Sequence, residues 1–182
     1  MPPSIRLATP HDLPAIVCLL IQDAQERRSL DPLLWCLATD APVRVERGVR
    51  AALESAAPAR ELWLVAEHSG RIVGVTHAMT VPVPPIYDDA AGLPGLLLDD
   101  CFTSADAPSG AAEALFVATE SALRTAGASS LIASCPAAGS LRRLYERYGY
   151  EPVTLYMAKH RFSPDALPLR ARLASAEDVP ES

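Results

Sequence analysis

Three groups of residues in this sequence have the types and spacing for chemistry. The first is Ser109-Gly110-Ala111-Ala112, small residues placed where a helix begins. The first amides of a helix lack partners inside it and carry a partial positive charge. An anion can approach them where no bulky side chain intervenes. The same four residues would also serve as a tight turn selected for packing alone. The second group is Asp99 and Asp100, which follow the apolar run Leu96-Leu97-Leu98 at the end of a strand. A carboxylate there could take a proton from a substrate, through water. Side chains alternate along a strand, so at most one of the two faces a pocket, and a solvated surface Asp is the alternative. The third is Tyr145. A phenol with pKa near ~10 is protonated at neutral pH and can donate to a leaving group. Tyr145 also fits as a half-buried ring beside Leu141 and Leu144 on one helix face. Glu67 and His77 are lesser candidates for a base, and His77 reads first as a strand residue with a satisfied ring.

Several other chemistries lack their residues. The sequence holds no G-x-x-x-x-G-K-[ST] loop, no G-x-G-x-x-G after a strand and no G-x-S-x-G elbow. The four histidines have no metal-ligand spacing to one another or to the cysteines. The four cysteines, Cys18, Cys36, Cys101 and Cys135, form no CxxC pair and read as thiols in a reducing, cytoplasmic setting. A net charge of −6 argues against nonspecific nucleic-acid binding. No apolar run approaches the ~18 residues of a membrane span, and the N-terminus lacks the pattern of a secretion signal. With 182 residues, 49% of them hydrophobic, the chain is long enough for one domain with a sizeable core.

The elements that must position these groups can be read in order. Ser4 to Ala8 suits a strand. Thr9 then offers an N-cap, Pro10 a first helical residue, and Asp12 an acidic variant of the capping box. Leu13, Ile16, Val17, Leu20 and Ile21 mark a helix face that fades near Arg28. Residues 29–39 read as a loop or short helical turn covering something. A second helix runs from about Pro42 to Ala56, with Val45, Val49, Ala52 and Leu53 inward and Gly48 weakening it. Leu62–Glu67 and Arg71–Thr80 form a hairpin around Ser69-Gly70. Residues 81–95 carry four prolines and read as a loop or sheet edge. After the small-residue turn and its helix, residues 129–134 suit a short strand. Leu141, Leu144, Tyr145 and Tyr148 mark a last helix, which Gly149 ends. Val153 to Lys159 suits a final strand. In the tail, RLASAEDVP (172–180) echoes RLATPHDLP (6–14), so residues 163–182 could be the stub of a second copy of the domain or a chance match.

This order of elements resembles the GCN5-related N-acetyltransferase (GNAT) family over roughly residues 4–160. Residues 5–20 are similar to the family's first strand and helix. Ala107-Pro108-Ser109-Gly110-Ala111-Ala112 is similar to its acetyl-CoA loop, matching at Gly110 and Ala112 but carrying Ala107 where the family has Arg or Gln. LRRLYERYGYEP (141–152) is similar to its fourth helix, with Ala138 where many members carry Asn. The resemblance implies an α/β (α+β) fold with a central mixed, mostly antiparallel twisted sheet. That sheet would have about six to seven strands and about four helices, with residues 1–162 as the domain and 163–182 as the tail.

The resemblance further implies acetyl transfer from acetyl-CoA by direct attack of a primary amine, on a small molecule or an exposed amino group. Tyr145 falls at the tyrosine often used as general acid, and Asp99 or Asp100 where the family often places an acidic residue. Phe102, Ser109, Gly110, Ala111 and Ala112 would hold the cofactor. Arg142, with Arg143, could compensate for Ala107, or form a solvated face. The acceptor would lie between residues 23–40 and 81–95, lined by Asp31, Trp35, Tyr87, Asp88 and Asp89, whose acidity suits a cationic amine. No metal, nucleic acid or membrane is implied, and a homodimer is the family's common state. The missing Arg or Gln also leaves open a catalytically weakened domain with a binding, regulatory or assembly role.

Overall fold

The hairpin at the centre of the fold is set by its turn. In the computed structural model, β2 (Glu61–His68) and β3 (Arg71–Thr80) pair antiparallel around Ser69-Gly70. Both turn residues have positive φ, 51° and 76°, which matches the twist of the strands they join. The structure describes residues 2–55, 61–83, 86, 92–136, 139–154 and 157. The expectations for Tyr87, Asp88, Asp89 and the tail 163–182 lie outside the described residues.

β1 (Ser4–Leu7) adds antiparallel to β2, and β4 (Pro94–Thr103) adds antiparallel to β3. β5 (Ser130–Ala133) runs parallel to β4, so the spatial order is β1-β2-β3-β4-β5. The sheet is thus mixed and mostly antiparallel, as expected, with five strands among the described residues. The expected strand at Val153 to Lys159 falls partly outside them. Its described residues Val153, Thr154 and Met157 are in no strand.

Among the described residues, four α-helices cover the two faces. α1 (Leu13–Leu30) and α2 (Ala41–Leu53) bury Leu13, Ile16, Leu19 and Val49 against Trp63, Val65 and Val75. Val45, Ala52 and Leu53 face the same core, as their spacing predicts. α3 (Ala111–Thr125) and α4 (Ser140–Arg147) lie on the other face. There Leu115 packs on Leu64, Ala66 and Val73, while Phe116, Leu123, Leu144 and Tyr145 pack on Ala78 and Leu97. α4 ends as its glycine predicts. Gly149 has φ 82°, its N–H donates to Glu146 O at 3.1 Å, and Tyr150 N–H donates to Tyr145 O at 3.1 Å.

Two irregularities shape the sheet. Between Ala66 and Glu67 the register of β2 shifts against β3, because Val73 has no partner on β2. In β4 the shift is larger. Thr76 pairs with Cys101 and Ala78 with Leu97, so Leu98, Asp99 and Asp100 together stand opposite His77. Extra residues on one strand bend it and re-aim its side chains. This corrects the expected place of Asp99 and Asp100. They occupy a bulge in the middle of β4, which continues to Thr103, and not its end.

Gly74 sits where β3, β4 and α3 meet. A Cβ there would lie 2.8 Å from Leu115 Cδ1 and 2.9 Å from Thr103 Cγ2. Gly74→Ala is expected to cost about 1–3 kcal/mol of stability through overpacking. Urea denaturation would measure it, and an unchanged midpoint would show that Leu115 yields freely.

Candidate active site

A cleft of about 530 Å³ opens on the α1/α2 face, over β2, β3 and the β4 bulge. Its floor follows from the register. Trp63 and His77 are cross-strand partners, so their rings share a face, stacked 4.0 Å apart and 13° from parallel. His77 is buried, and a carboxylate flanks each of its ring nitrogens. Glu61 Oε1 lies 2.8 Å from Nε2, and Asp100 Oδ2 lies 3.3 Å from Nδ1. Glu61 Oε1 also accepts the Trp63 indole N–H at 3.2 Å. The bulge brings Asp100 to this face, where its side chain stays about half exposed, at 45%. Neighbouring Asp99 lies on the same bulge. Among the described residues no three such side chains form a group that could hold a metal ion.

The walls come from α1, α2 and the segment after α1. Asp23 and Arg27, one turn apart on α1, form a largely buried ion pair at 2.7 Å. The Arg27 guanidinium stands 5.6 Å from the Trp35 ring centroid. Leu34, Trp35 and Leu37 line the opening, and Val45, Gly48 and Val49 line the α2 side. Trp35, one of the residues expected to line an acceptor site, thus lines this cleft. Asp31 has a different local role. Its Oδ1 accepts the Leu33 and Leu34 amides at 3.0 and 2.9 Å, fixing the turn that presents Trp35.

The small-residue turn lies at the start of α3. Gly110 is the N-cap, with φ 85° and no capping side chain. A Cβ on Gly110 would meet nothing within 4 Å, so the backbone there is open to approach. The Ala111 amide bonds Pro108 O at 3.1 Å, and the amides of Ala112 and Glu113 belong to the first turn, which has no partners of its own inside the helix. This backbone fits an anion such as the pyrophosphate of coenzyme A. The surrounding side chains do not strengthen it. Asp106 accepts the Ser104 hydroxyl at 2.6 Å and pairs with Arg71 at 3.1 Å. The Ser104 bond first, then Arg71, holds the Asp106 carboxyl below its ordinary value. Glu113, in the first turn of α3, accepts the Tyr148 hydroxyl at 2.6 Å. Arg142 donates to Glu146 on its own helix at 2.8 Å. Phe102 packs against the core beneath α1 and, with Ser104, Ala105 and Asp106, lines a groove beside α1.

Tyr145 is on the opposite face of the sheet from the cleft. It is 4% exposed, packed with Phe116 and Tyr150 at centroid distances of 5.5 and 5.4 Å, and its hydroxyl is buried. The structure therefore brings together Asp100, Trp35, His77 and Glu61, and leaves Tyr145 and the α3 turn outside that cleft. Glu67, the other carboxylate considered as a base, pairs instead with Arg6 at 3.0 Å. Burial pushes the thiol of Cys101, on β4 beside the bulge, up to about 11, which disfavours the thiolate a nucleophile needs. Sequence reasoning missed Glu61, Asp23 and Arg27. The i,i+4 spacing of Asp23 and Arg27 was legible, but nothing in it told a buried pair from a surface one.

No protein-family model matches the chain, and no curated sequence matches it. Solved structures do. One is a predicted acetyltransferase with acetyl-CoA from Clostridium acetobutylicum, at TM-score 0.63 and 17% identity, covering 86% of this chain and 95% of that one. A second is glucosamine-6-phosphate N-acetyltransferase from Arabidopsis thaliana, at TM-score 0.63 and 15% identity, covering 87% and 98%. A third is a GCN5-related N-acetyltransferase from Ralstonia eutropha, at TM-score 0.61 and 18% identity, covering 86% and 97%. The fold of this chain is the fold of those acetyltransferases.

Proposed function

From this fold and the cleft over its bulged strand, we propose that the chain is an acetyl-CoA-dependent N-acyltransferase that acetylates a primary amine. The observation that carries the reading is the Glu61–His77–Asp100 cluster, set at the bulge of the strand that leads into the open α3 turn. An ammonium must be held and must lose a proton before it can attack. Asp100, half exposed in the cleft, binds the cation and receives its proton, directly or through water. His77 orients Asp100 from Nδ1, while Nε2 lies 2.8 Å from Glu61 Oε1 without a hydrogen bond to it, so Glu61 acts there through its charge. Asp99 is the lesser choice for the base. The turn Ser109-Gly110-Ala111-Ala112 is the proposed backbone cradle for the cofactor's pyrophosphate, with the Ala112 amide as a free donor while the Ala111 amide is bonded to Pro108 O. Phe102, which lines the groove beside α1, and Arg142, paired with Glu146 on α4, are the further residues proposed to contact the cofactor. When bound, the cofactor supplies the activated acetyl group.

Tyr145, on the face opposite the cleft, is the residue proposed to protonate the leaving thiolate; this places the thioester beside the part of β4 beyond Leu97, where β5 does not pair with it among the described residues, between Asp100 and Tyr145. Tyr145→Phe keeps the ring packing with Phe116 and Tyr150. It is expected to lower kcat by about 10²-fold with little change in cofactor affinity. Steady-state kinetics beside calorimetry would check this, and unchanged kcat would leave Tyr145 as a core residue.

One observation favours a second reading, a domain that binds without catalysis. Ala107 offers the turn no side-chain cation, and Asp106 and Glu113 place carboxylates close to it in sequence. Calorimetric titration with acetyl-CoA and an assay of acetyl transfer separate the two. Binding accompanied by acetyl transfer to an amine supports the enzyme, and binding without transfer, or no heat at millimolar cofactor, favours the second reading. Ala107→Arg is expected to tighten acetyl-CoA binding by about tenfold or more, the worth of one charge-assisted hydrogen bond. Equal affinity in the variant would mean that position 107 does not face the cofactor.

A further inference from the structure

The cleft restricts which amine could enter it. We infer that its acceptor is a primary ammonium on a compact apolar body, aryl or branched alkyl, with no anionic group. The inference rests on the amine-acceptor reading above and narrows it.

Charge decides the first part. Among the described residues, the charged groups lining the cleft are Asp23 and Arg27 from α1, Glu61 from β2, His77 from β3 and Asp100 from β4; α2 and the segment after α1 contribute none. Arg27 is matched by Asp23 at 2.7 Å. That leaves Glu61 and Asp100 against His77, so the cleft is net negative whether or not His77 is protonated. A phosphate or carboxylate on the ligand would face these carboxylates at close range and be repelled. An ammonium is attracted by them and by the face of an aromatic ring.

The walls decide the second part. Leu34, Trp35 and Leu37 close one side, Val45 and Val49 another, and Trp63 lies in the floor. They offer little for hydroxyl groups to bond, and a polar group buried without a partner is costly. An apolar body gains from the same burial. Gly48 leaves space on the α2 side, since a Cβ there would meet nothing within 4 Å. A cleft of about 530 Å³ accommodates a ring or a branched chain.

The test measures binding without acetyl-CoA, so it does not depend on turnover. Phenethylamine, phenethyl alcohol and glucosamine 6-phosphate are titrated into the full chain, with heat and tryptophan fluorescence as readouts. Phenethylamine is expected to bind at least about tenfold more tightly than phenethyl alcohol, and glucosamine 6-phosphate to show no saturable binding. Gly48→Leu, which adds a side chain into open space, is expected to keep the melting temperature or raise it. It should weaken phenethylamine by about tenfold or more. Failure of phenethylamine to bind, equal affinity for the alcohol, tighter binding of the sugar phosphate, or indifference to Gly48→Leu would each overturn the inference. Acetylation of glucosamine 6-phosphate without phenethylamine binding would sink it and leave the acetyltransferase reading standing. Phenethylamine binding without any acetyl-CoA binding would do the reverse.

Discussion

Asp100→Asn is expected to lower kcat/KM for acetylation of a primary amine by roughly 10²–10⁴-fold, while the chain stays folded. The substitution keeps the size of the side chain and removes its charge. Two functions go together. The amine loses the carboxylate that would accept its proton, and His77 Nδ1 loses an anionic partner at 3.3 Å. Folding should be nearly unaffected, because the Asp100 side chain is 45% exposed and takes no part in the hydrophobic core. The pH–rate profile carries further information. If Asp100 works through deprotonation, the residual activity of the variant should rise steeply toward high pH, where the amine is already neutral. Glu67→Gln is the control. Glu67 pairs with Arg6 on the outer part of the sheet and does not line the cleft, so its loss should leave kcat/KM within about twofold. Activity of Asp100→Asn within about threefold of the parent would remove Asp100 from the chemistry.

The cleft itself shows what a sequence can and cannot convey. Local rules located the hairpin, since Ser69-Gly70 has only one comfortable geometry between two apolar strands. They located the end of α4 for the same reason, through Gly149. The inward face of α2 followed from spacing at Val45 and Val49. Thr119 on α3 is fully buried although polar, its hydroxyl donating to Leu115 O at 2.8 Å within the helix. The bulges were not legible. Extending the hairpin from His68 and Arg71 without interruption would put Trp63 opposite Thr76. The unpaired Val73 shifts the register by one, so Trp63 meets His77 instead. A one-residue shift reverses which face a side chain occupies. That shift turns His77 from a plain strand residue into the floor of a cleft. The β4 bulge then delivers Asp100 to it. Bulges depend on packing between strands distant in sequence, so patterns within one strand cannot reveal them.

A second large effect is expected far from the cleft, at the start of α1. Asp12 is 7% exposed, and its carboxylate takes four hydrogen bonds. Arg6 donates Nη1 and Nη2 at 2.7 and 2.8 Å, the Thr9 amide donates at 2.8 Å, and the Thr9 hydroxyl at 2.9 Å. One side chain thus ties β1 to the first turn before α1, and Arg6 extends the link to Glu67 on β2. The Arg6 bonds, more than the Thr9 bonds, hold the Asp12 carboxyl far below its ordinary value against the opposing effect of burial. Asp12→Asn keeps the shape, removes the charge, and places an amide N–H₂ against donors it cannot accept from. The expected cost at pH 7 is about 2–3 kcal/mol, in the range for hydrogen bonds to a charged group. The pH dependence has a definite sign. Because the folded pKa is depressed, the charge of Asp12 stabilises the fold fully above its unfolded value near 3.8, and that contribution is lost as pH falls toward the depressed value. The stability gap between parent and Asp12→Asn should therefore be constant from pH 7 to about 5 and shrink steadily below about 4. Urea denaturation of both proteins across this range would measure it. A gap that stayed level down to pH 2.5, or one below about 0.5 kcal/mol at pH 7, would mean that the carboxylate charge does not hold this corner together.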